Sequence, residues 1–265
     1  RFGAGVNLVD FATDPQAARL LINAWASEQT RERIPEVLKP DDITADTRLA
    51  LVNAIYLKAP WYQPFAADRT STDPFTRPDR SVVDVPMMHA FSGAKCATGD
   101  GWGAMDLAYL GHTLSMLVIV PDDHAAFEAD LDADRLAAID AAFADQIAVP
   151  DVSLPRFDFE TREDLLSILD ALGMPAAFDP ATADFSGMTA KDRLHIGMVI
   201  HQANISVDEK GTEAAAVTVV GMDTGGGPPD TCTVRADRPF LFAIRDRETG
   251  AILFMGRVVD PAASH

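Results

Sequence analysis

The sequence reads SVDEKGTEAAAVTVVGM over Ser206–Met222 and continues with DTGGGPP at residues 223–229. Strand side chains alternate between two faces, so an extended segment from Thr212 onward presents two distinct rows. One row begins small and becomes apolar, and it consists of Thr212, Ala214, Ala216, Thr218, Val220 and Met222. The other row begins with Glu213, whose charge suits an outer face.

The same residues also allow a short helix, because TEAAA at 212–216 is a plausible first helical turn with Thr212 as its N-cap. Four β-branched residues follow at 217–220, and β-branching favours extended structure over helix. The glycines and prolines after Met222 cannot sustain a central strand. We therefore predict a strand-forming segment that ends in a flexible tip, where proteases cut most readily.

The charge of the chain excludes one class of partner. With 40 acidic and 22 basic residues, the formal net charge is -18, and phosphate binding needs basic surface. We expect no nucleic-acid partner. No stretch approaches the roughly 20 apolar residues that a membrane-spanning helix needs, so no membrane partner is expected either.

Motifs for catalysis and metal binding are absent from the sequence. Cys96 and Cys232 lie far apart and form no C-x-x-C pair, so neither zinc, a redox dithiol nor a disulfide framework is indicated. The six histidines stand singly, and the nucleophile elbow, the H-E-x-x-H helix and the phosphate-binding loop are all missing. We predict no enzyme activity, no metal and no cofactor, and nothing here indicates a compartment.

The remaining patterns predict a single α+β domain over residues 1–265. Asp14 and Pro15 open a helix. Its predicted buried face consists of Ala18, Leu21, Ile22 and Trp25. Further helices are expected at 125–144, as one or two, and at 165–172, with a capping box from Thr161 and Asp164. The predicted strands are 6–9, 47–56, 82–88, 103–109, 113–120, 151–159, 194–207, 240–244 and 252–259. Because the chain opens within an alternating pattern, we expect the first part of the domain to be absent.

Several blocks along the chain resemble the serpin family, in collinear order. The resemblance rests on INAW (22–25) with EQT (28–30), LVNAIYLKAPW (51–61), PMM (86–88), FSGM (185–188), DEKGTEAAA (208–216), and RPFLF (238–242) with FMGRV (254–258) and Pro261. Because the blocks span the whole chain, chance agreement is implausible. The resemblance implies a large mixed β-sheet, further antiparallel sheets, surrounding helices and an exposed reactive loop at about 211–231.

The implied activity is inhibition of a serine protease by a suicide-substrate mechanism. In that family the protease attacks the loop, forms an acyl-enzyme and is trapped when the cleaved loop inserts into the main sheet. The implied hinge comprises Glu209, Gly211, Thr212, Ala214 and Ala216. The sheet opening and the insertion path would involve Asn53, Trp61 and His201.

The reactive bond is implied by counting from both ends of the loop. The spacing places it between Gly225 and Gly226, with Met222 and Thr224 as alternatives. Glycine offers a protease no side chain to grip, so an elastase-like or subtilisin-like enzyme with a small pocket is the expected partner of a monomeric inhibitor.

Two departures from the family pattern leave other functions open. The opening helices of the family, its first sheet strand and the serines that partner Asn53 and His201 have no counterpart here. The GGGPP tip at 225–229 could belong to a non-inhibitory binding or carrier protein of the same fold. The scattered His and Asp residues leave an unrelated hydrolase as a third hypothesis.

Overall fold

The computed structural model describes residues 5, 7–144, 149–189, 193–212 and 231–263. The helices are α1 (Pro15–Gln29), α2 (His124–Ala129), α3 (Ala133–Ala142), α4 (Leu166–Ala171) and α5 (Pro175–Phe178). The strands are β1 (Ala50–Tyr56), β2 (Ala59–Pro60), β3 (Thr70–Thr76), β4 (Val82–Ala90), β5 (Ala94–Gly99), β6 (Trp102–Ala108), β7 (Leu114–Pro121), β8 (Val149–Pro155), β9 (Phe157–Asp164), β10 (Met198–Asp208), β11 (Gly211–Thr212), β12 (Thr231–Arg235), β13 (Phe240–Asp246) and β14 (Ile252–Val258). None of the described helices is long and apolar enough to span a membrane.

The chain divides into two compact units, the first of which comprises residues 1–56 and 160–204. In this unit β1 pairs in parallel with β10 over seven register positions, from Ala50 opposite Met198 to Tyr56 opposite Asn204. One face of this pair is covered by α1 and the segment that follows it. The core beneath α1 contains Ala26, Ile34, Val37, Leu38, Ile43, Met198 and Ile200.

The buried face of α1 differs from the predicted one. Asp14 caps the helix as expected, because its Oδ1 accepts a hydrogen bond from Ala17 N at 2.9 Å. Leu21 and Trp25 are exposed, however, and the buried positions are Ala18, Asn23 and Ala26. Apolar spacing misses this face because the polar Asn23 is one of its central contacts. Its amide donates to Leu38 O and accepts from the backbone N–H groups of residues 37 and 38.

The second unit comprises residues 57–159 and 205–265 and contains two further sheets. One has the strand order β12-β8-β4-β3, and the other has the order β14-β13-β7-β6-β5. The core between them includes Phe157, whose ring lies 5.9 Å from that of Phe240 and 5.7 Å from that of Phe242. On its other face the five-stranded sheet packs against Phe127 and Ile139, which belong to α2 and α3.

Several sequence predictions need correction. Residues 7–10 form no strand, because no described strand pairs with them. The strand predicted at 151–159 is two strands, β8 and β9, that break at Arg156. Thr161 lies within β9 and does not cap α4, whereas Asp164 Oδ1 accepts a hydrogen bond from Leu166 N, the first residue of that helix, at 3.0 Å. Strands β3, β5 and β12 were missed, and β3 contains Pro74, which an edge strand tolerates.

The two cysteines form a disulfide that the sequence analysis did not expect. Cys96 in β5 is joined to Cys232 in β12, with 6.1 Å between their Cα atoms. Because the two cysteines are 136 positions apart in the sequence, only the fold brings their sulfurs together.

Candidate functional site

The turn between β10 and β11, which we call the hinge turn (residues 208–212), is held by backbone hydrogen bonds. Asp208 Oδ1 accepts from the backbone N–H of Lys210 at 2.7 Å, which closes the turn locally. Glu209 O accepts from Phe65 N, and Lys210 O accepts from Trp61 N, both at 2.9 Å. Since each carbonyl has a partner on the segment after β2, the turn has a fixed position.

Gly211 is the tightest point of the hinge turn. It pairs with Pro60 of β2 and has φ +145, a conformation that residues with a side chain rarely adopt. A Cβ at this position would lie 2.3 Å from Ala59 O and 2.6 Å from Pro60 Cα. Backbone atoms cannot move aside as a flexible side chain can, so only glycine allows this approach.

Thr212 points into the core of the second unit. Its side chain is 1% exposed, and its Oγ1 lies 2.6 Å from the hydroxyl of Tyr109. Burial raises the pKa of Tyr109, so this phenol stays protonated and neutral. Tyr109 in turn stacks on Trp61 with ring centroids 4.6 Å apart.

Trp61 connects the hinge turn to this core. Its indole Nε1 donates to Asp208 O at 2.9 Å, and its side chain is almost completely buried. Trp61, which the family resemblance predicts to lie where the sheet opens, lies directly against the end of β10. Its role in opening stays a prediction.

Glu209 carries the charged contact of the hinge turn. Arg156 Nε lies 2.9 Å from each carboxylate oxygen of Glu209, and Thr70 Oγ1 donates to Oε1 at 2.5 Å. Burial alone would raise the pKa of Glu209, but the hydrogen bonds from Arg156 and Thr70 outweigh it and lower the pKa. Glu209 is therefore ionised at neutral pH and anchors the turn to β3 and to the junction of β8 and β9.

Asn53 and His201 are direct register partners in the parallel pairing of β1 with β10. Asn53 is exposed and His201 is half-buried. Because β1 is hydrogen-bonded directly to β10, no strand lies between them, and this part of the sheet is closed. Whether these two residues line an insertion path stays a prediction.

The other predicted site residues lie outside the described part of the chain. They are Ala214, Ala216, Met222, Thr224, Gly225 and Gly226. The described chain ends at Thr212 on one side and resumes at Thr231 on the other. In the described ranges, no cluster of three or more His, Cys, Asp or Glu residues could hold a metal ion.

Sequence reasoning missed Thr70, Tyr109 and Arg156, which all contact the hinge turn. Each is far from that turn in sequence, and Arg156 is 53 residues from Glu209. The one available signal was the break in the alternating pattern of 151–159 at Arg156, where a charged residue separates two strands.

Comparison with known proteins decides the family. The family model described as "Serpin (serine protease inhibitor)" matches residues 1–261. The chain belongs to the serpin family.

Relatives and solved structures agree with this assignment. An uncharacterized serpin-like protein of Thermococcus kodakarensis is 38% identical over 96% of this chain and 59% of its own length. Plasminogen activator inhibitor 1 of Bos taurus is 33% identical over 98% of the chain and 65% of its own. The crystal structure of uncleaved ovalbumin has a TM-score of 0.85 at 29% identity, covering 98% of this chain and 67% of that one. The serpin chain thus spans 59 to 65% of these two curated relatives and has the α+β fold of the family.

The close approach at Gly211 gives a prediction for this serpin. Gly211→Ala adds a methyl group against backbone, so we expect it to lower the free energy of unfolding by about 3 kcal/mol or more. Gly250→Ala is the matched control. Gly250 also has positive φ (+73), but no atom beyond its chain neighbours lies within 4 Å of the position that a methyl group would take. We expect Gly250→Ala to lower the free energy of unfolding by about 1 kcal/mol. Urea denaturation measures both, and equal losses would contradict the close approach.

Proposed function

We propose that this chain inhibits a serine protease as a suicide substrate. The observation that carries the proposal is the pairing at the hinge turn. β11 already runs antiparallel to β10, with Gly211 opposite Asp208 and Thr212 opposite Val207. The residues after Thr212 therefore need only continue this ladder to become a new strand of the sheet.

The position of that new strand follows from the two registers. Continuing the β10–β11 ladder would place Ala214 opposite Ile205 and Thr218 opposite His201. Since His201 is paired with Asn53 in β1, an inserted Thr218 would separate these two residues. β1 and β10 are parallel, so one strand can pair antiparallel with both of them.

The row of residues that begins with Thr212, Ala214 and Ala216 has side chains small enough to enter between β1 and β10. Thr212 faces the core, and because strand residues two apart share a face, Ala214 and Ala216 would also face inward. Ile205, the predicted partner of Ala214, is itself buried. Small side chains at the first inward positions would allow entry without a clash.

In the proposed reaction, the serine hydroxyl of the protease attacks the carbonyl carbon of Gly225. The bond to Gly226 breaks, its nitrogen leaves as the new amino terminus, and Gly225 remains as an ester on the protease serine. The freed segment after Thr212 then inserts between β1 and β10 with the protease attached. Distortion of the triad or the oxyanion hole would stop hydrolysis of the ester.

The free energy that strand insertion would release is comparable to the stability of a protease domain. Insertion breaks one strand ladder and makes two, which adds on the order of ten hydrogen bonds at about 1 kcal/mol each. Protease domains are stable by only ~5 to 15 kcal/mol, so insertion can compete with the fold of the target.

The names of relatives support inhibition of a protease. Bos taurus plasminogen activator inhibitor 1 and Homo sapiens plasminogen activator inhibitor 2 are 33% and 35% identical to this chain. The reactive bond at Gly225–Gly226 favours an elastase-like or subtilisin-like target. A protease panel would show whether Met222 or Thr224 is used instead.

An inhibitor need not have a catalytic centre, and the Ser–His–Asp contact in the second unit does not provide one. Ser71 Oγ and Asp73 Oδ2 both approach His89 Nε2, at 3.1 and 3.0 Å. In a catalytic triad the serine and the aspartate contact different ring nitrogens, so that the ring can relay a proton. Ser71 Oγ also donates to Asp73 Oδ1 at 2.8 Å, a contact that a catalytic triad does not have.

A binding or carrier function is the second candidate. It is favoured by the GGGPP tip and by the likeness to thyroxine-binding globulin in complex with thyroxine, with a TM-score of 0.84 at 28% identity. Nicking the loop should distinguish the two functions. An inserting loop should raise the Tm by about 20 °C or more, whereas a passive loop should leave it nearly unchanged.

Inhibition predicts a covalent complex. We expect the protein mixed with elastase, subtilisin or chymotrypsin to form a complex that survives denaturant with at least one of them. Cleavage by all three without any complex would reject the proposal. Mass spectrometry of the trapped species would identify the reactive bond.

The inward row gives a sharper test through paired variants. Ala214→Arg should bury an unpaired charge on insertion and lower the yield of complex at least about tenfold in favour of simple cleavage. Ala215→Arg, on the outer row, is the matched control and should retain the yield. Thr212 is less suitable, because it is already buried before cleavage. Equal yields for the two variants would show that the facing assignment is wrong.

A further inference from the structure

The disulfide lies next to the far end of the proposed loop. Cys232 is the second residue of β12, and β12 begins where the described chain resumes after residues 213–230. Cys96 lies in β5, which belongs to the other sheet of the second unit. The bond therefore connects two sheets, and it does so at the C-terminal boundary of the loop.

Apart from the disulfide, β12 is held by one strand ladder with β8, by contacts of Thr233 and Arg235 with Asp151, and by packing. The strand has five residues and stands at the end of the order β12-β8-β4-β3, so within the described chain its one strand neighbour is β8. The pairing with β8 is parallel, the less stable arrangement per residue. Packing adds the inward side chains of Cys232 and Val234, and Val234 lies against Gly103 of β6.

The attachment of β12 matters because it limits the length of chain that is free to move between Thr212 and the start of β12. While the loop is uncut, its ends are fixed at Thr212 and at Thr231. Detachment of the five residues of β12 would lengthen the connection by roughly 17 Å. An uncut loop could then begin to enter the sheet between β1 and β10 with no protease present.

We propose that the Cys96–Cys232 disulfide is a clamp that keeps β12 attached and so makes cutting of the loop a precondition for insertion. The inference rests on the proposed function. A covalent bond does not open with the local fluctuations that release edge strands. Both cysteines are buried, with 2% and 8% exposure, so the folded protein should protect the clamp from reductants.

Removing the clamp is a two-electron reduction by a dithiol. The reductant gives two hydrogens and becomes a cyclic disulfide, while the Cys96–Cys232 bond breaks into two thiols. This reduced protein has the same side chains as the oxidised protein. It therefore separates the effect of the cross-link from that of core packing.

The test compares three forms of the full-length gene product. They are the oxidised protein, the protein purified under dithiothreitol throughout, and the Cys96→Ala/Cys232→Ala variant. Hydrogen exchange at residues 231–235 should be at least about tenfold faster in the two forms without the bond. Strands β3 and β4, which have no cysteine, should exchange equally in the oxidised and reduced proteins.

Two results would overturn the clamp. One is the detection of two free thiols by mass spectrometry in protein purified without reductant. The other is exchange at 231–235 that changes less than about twofold on reduction.

A second measurement separates this inference from the proposed function. Stored uncut, the reduced protein should lose its ability to form the covalent complex faster than the oxidised protein. Equal rates of loss would count against the clamp. If no form makes a complex even when fresh, the inhibitor proposal fails, while faster exchange on reduction would still support the attachment of β12 by the disulfide.

Discussion

At Gly211 the backbone of β11 lies directly against the backbone of β2, and the other contacts of the hinge turn are built around this approach. The glycine allows β11 to lie against β2 with no space for a side chain, and this fixes the position of Thr212. Thr212 is then directed to Tyr109, and Tyr109 to Trp61, whose indole returns to the end of β10. These contacts form one continuous chain from Thr212 back to Asp208.

The pairing of Gly211 and Thr212 sets where a continuation of β11 would begin and which way it would run. β11 has the orientation and the facing that an inserted strand needs, while β1 and β10 still pair with each other. The two pairings are alternatives, because a strand that continues β11 must displace β1 from β10. We expect the free energy released on insertion to be the difference between a sheet with two strand ladders at this position and a sheet with one. The disulfide at β12 would hold the other end of the loop in place until a protease cuts it.

The sequence predicted the parts of the fold that local patterns encode. Alternation identified β4, β6, β7 and β13, and the Asp14 cap identified the start of α1. The pattern failed where a polar residue occupies the core, as Asn23 does, and where an edge strand contains proline, as β3 does. The hinge residues came from family resemblance, whereas their contacts with Arg156, Thr70 and Tyr109 depend on long-range packing that no local spacing reveals. The disulfide belongs to the same class, since only the packing of β12 on β5 brings its two sulfurs together.

We propose that the segment after Thr212 becomes a strand between β1 and β10 once the loop is cut. A crystal structure of the protein after cleavage of its loop tests this most directly. We expect Thr218 to lie between Asn53 and His201, hydrogen-bonded to strands on both sides. A cleaved protein in which Asn53 is still the direct partner of His201 would contradict it.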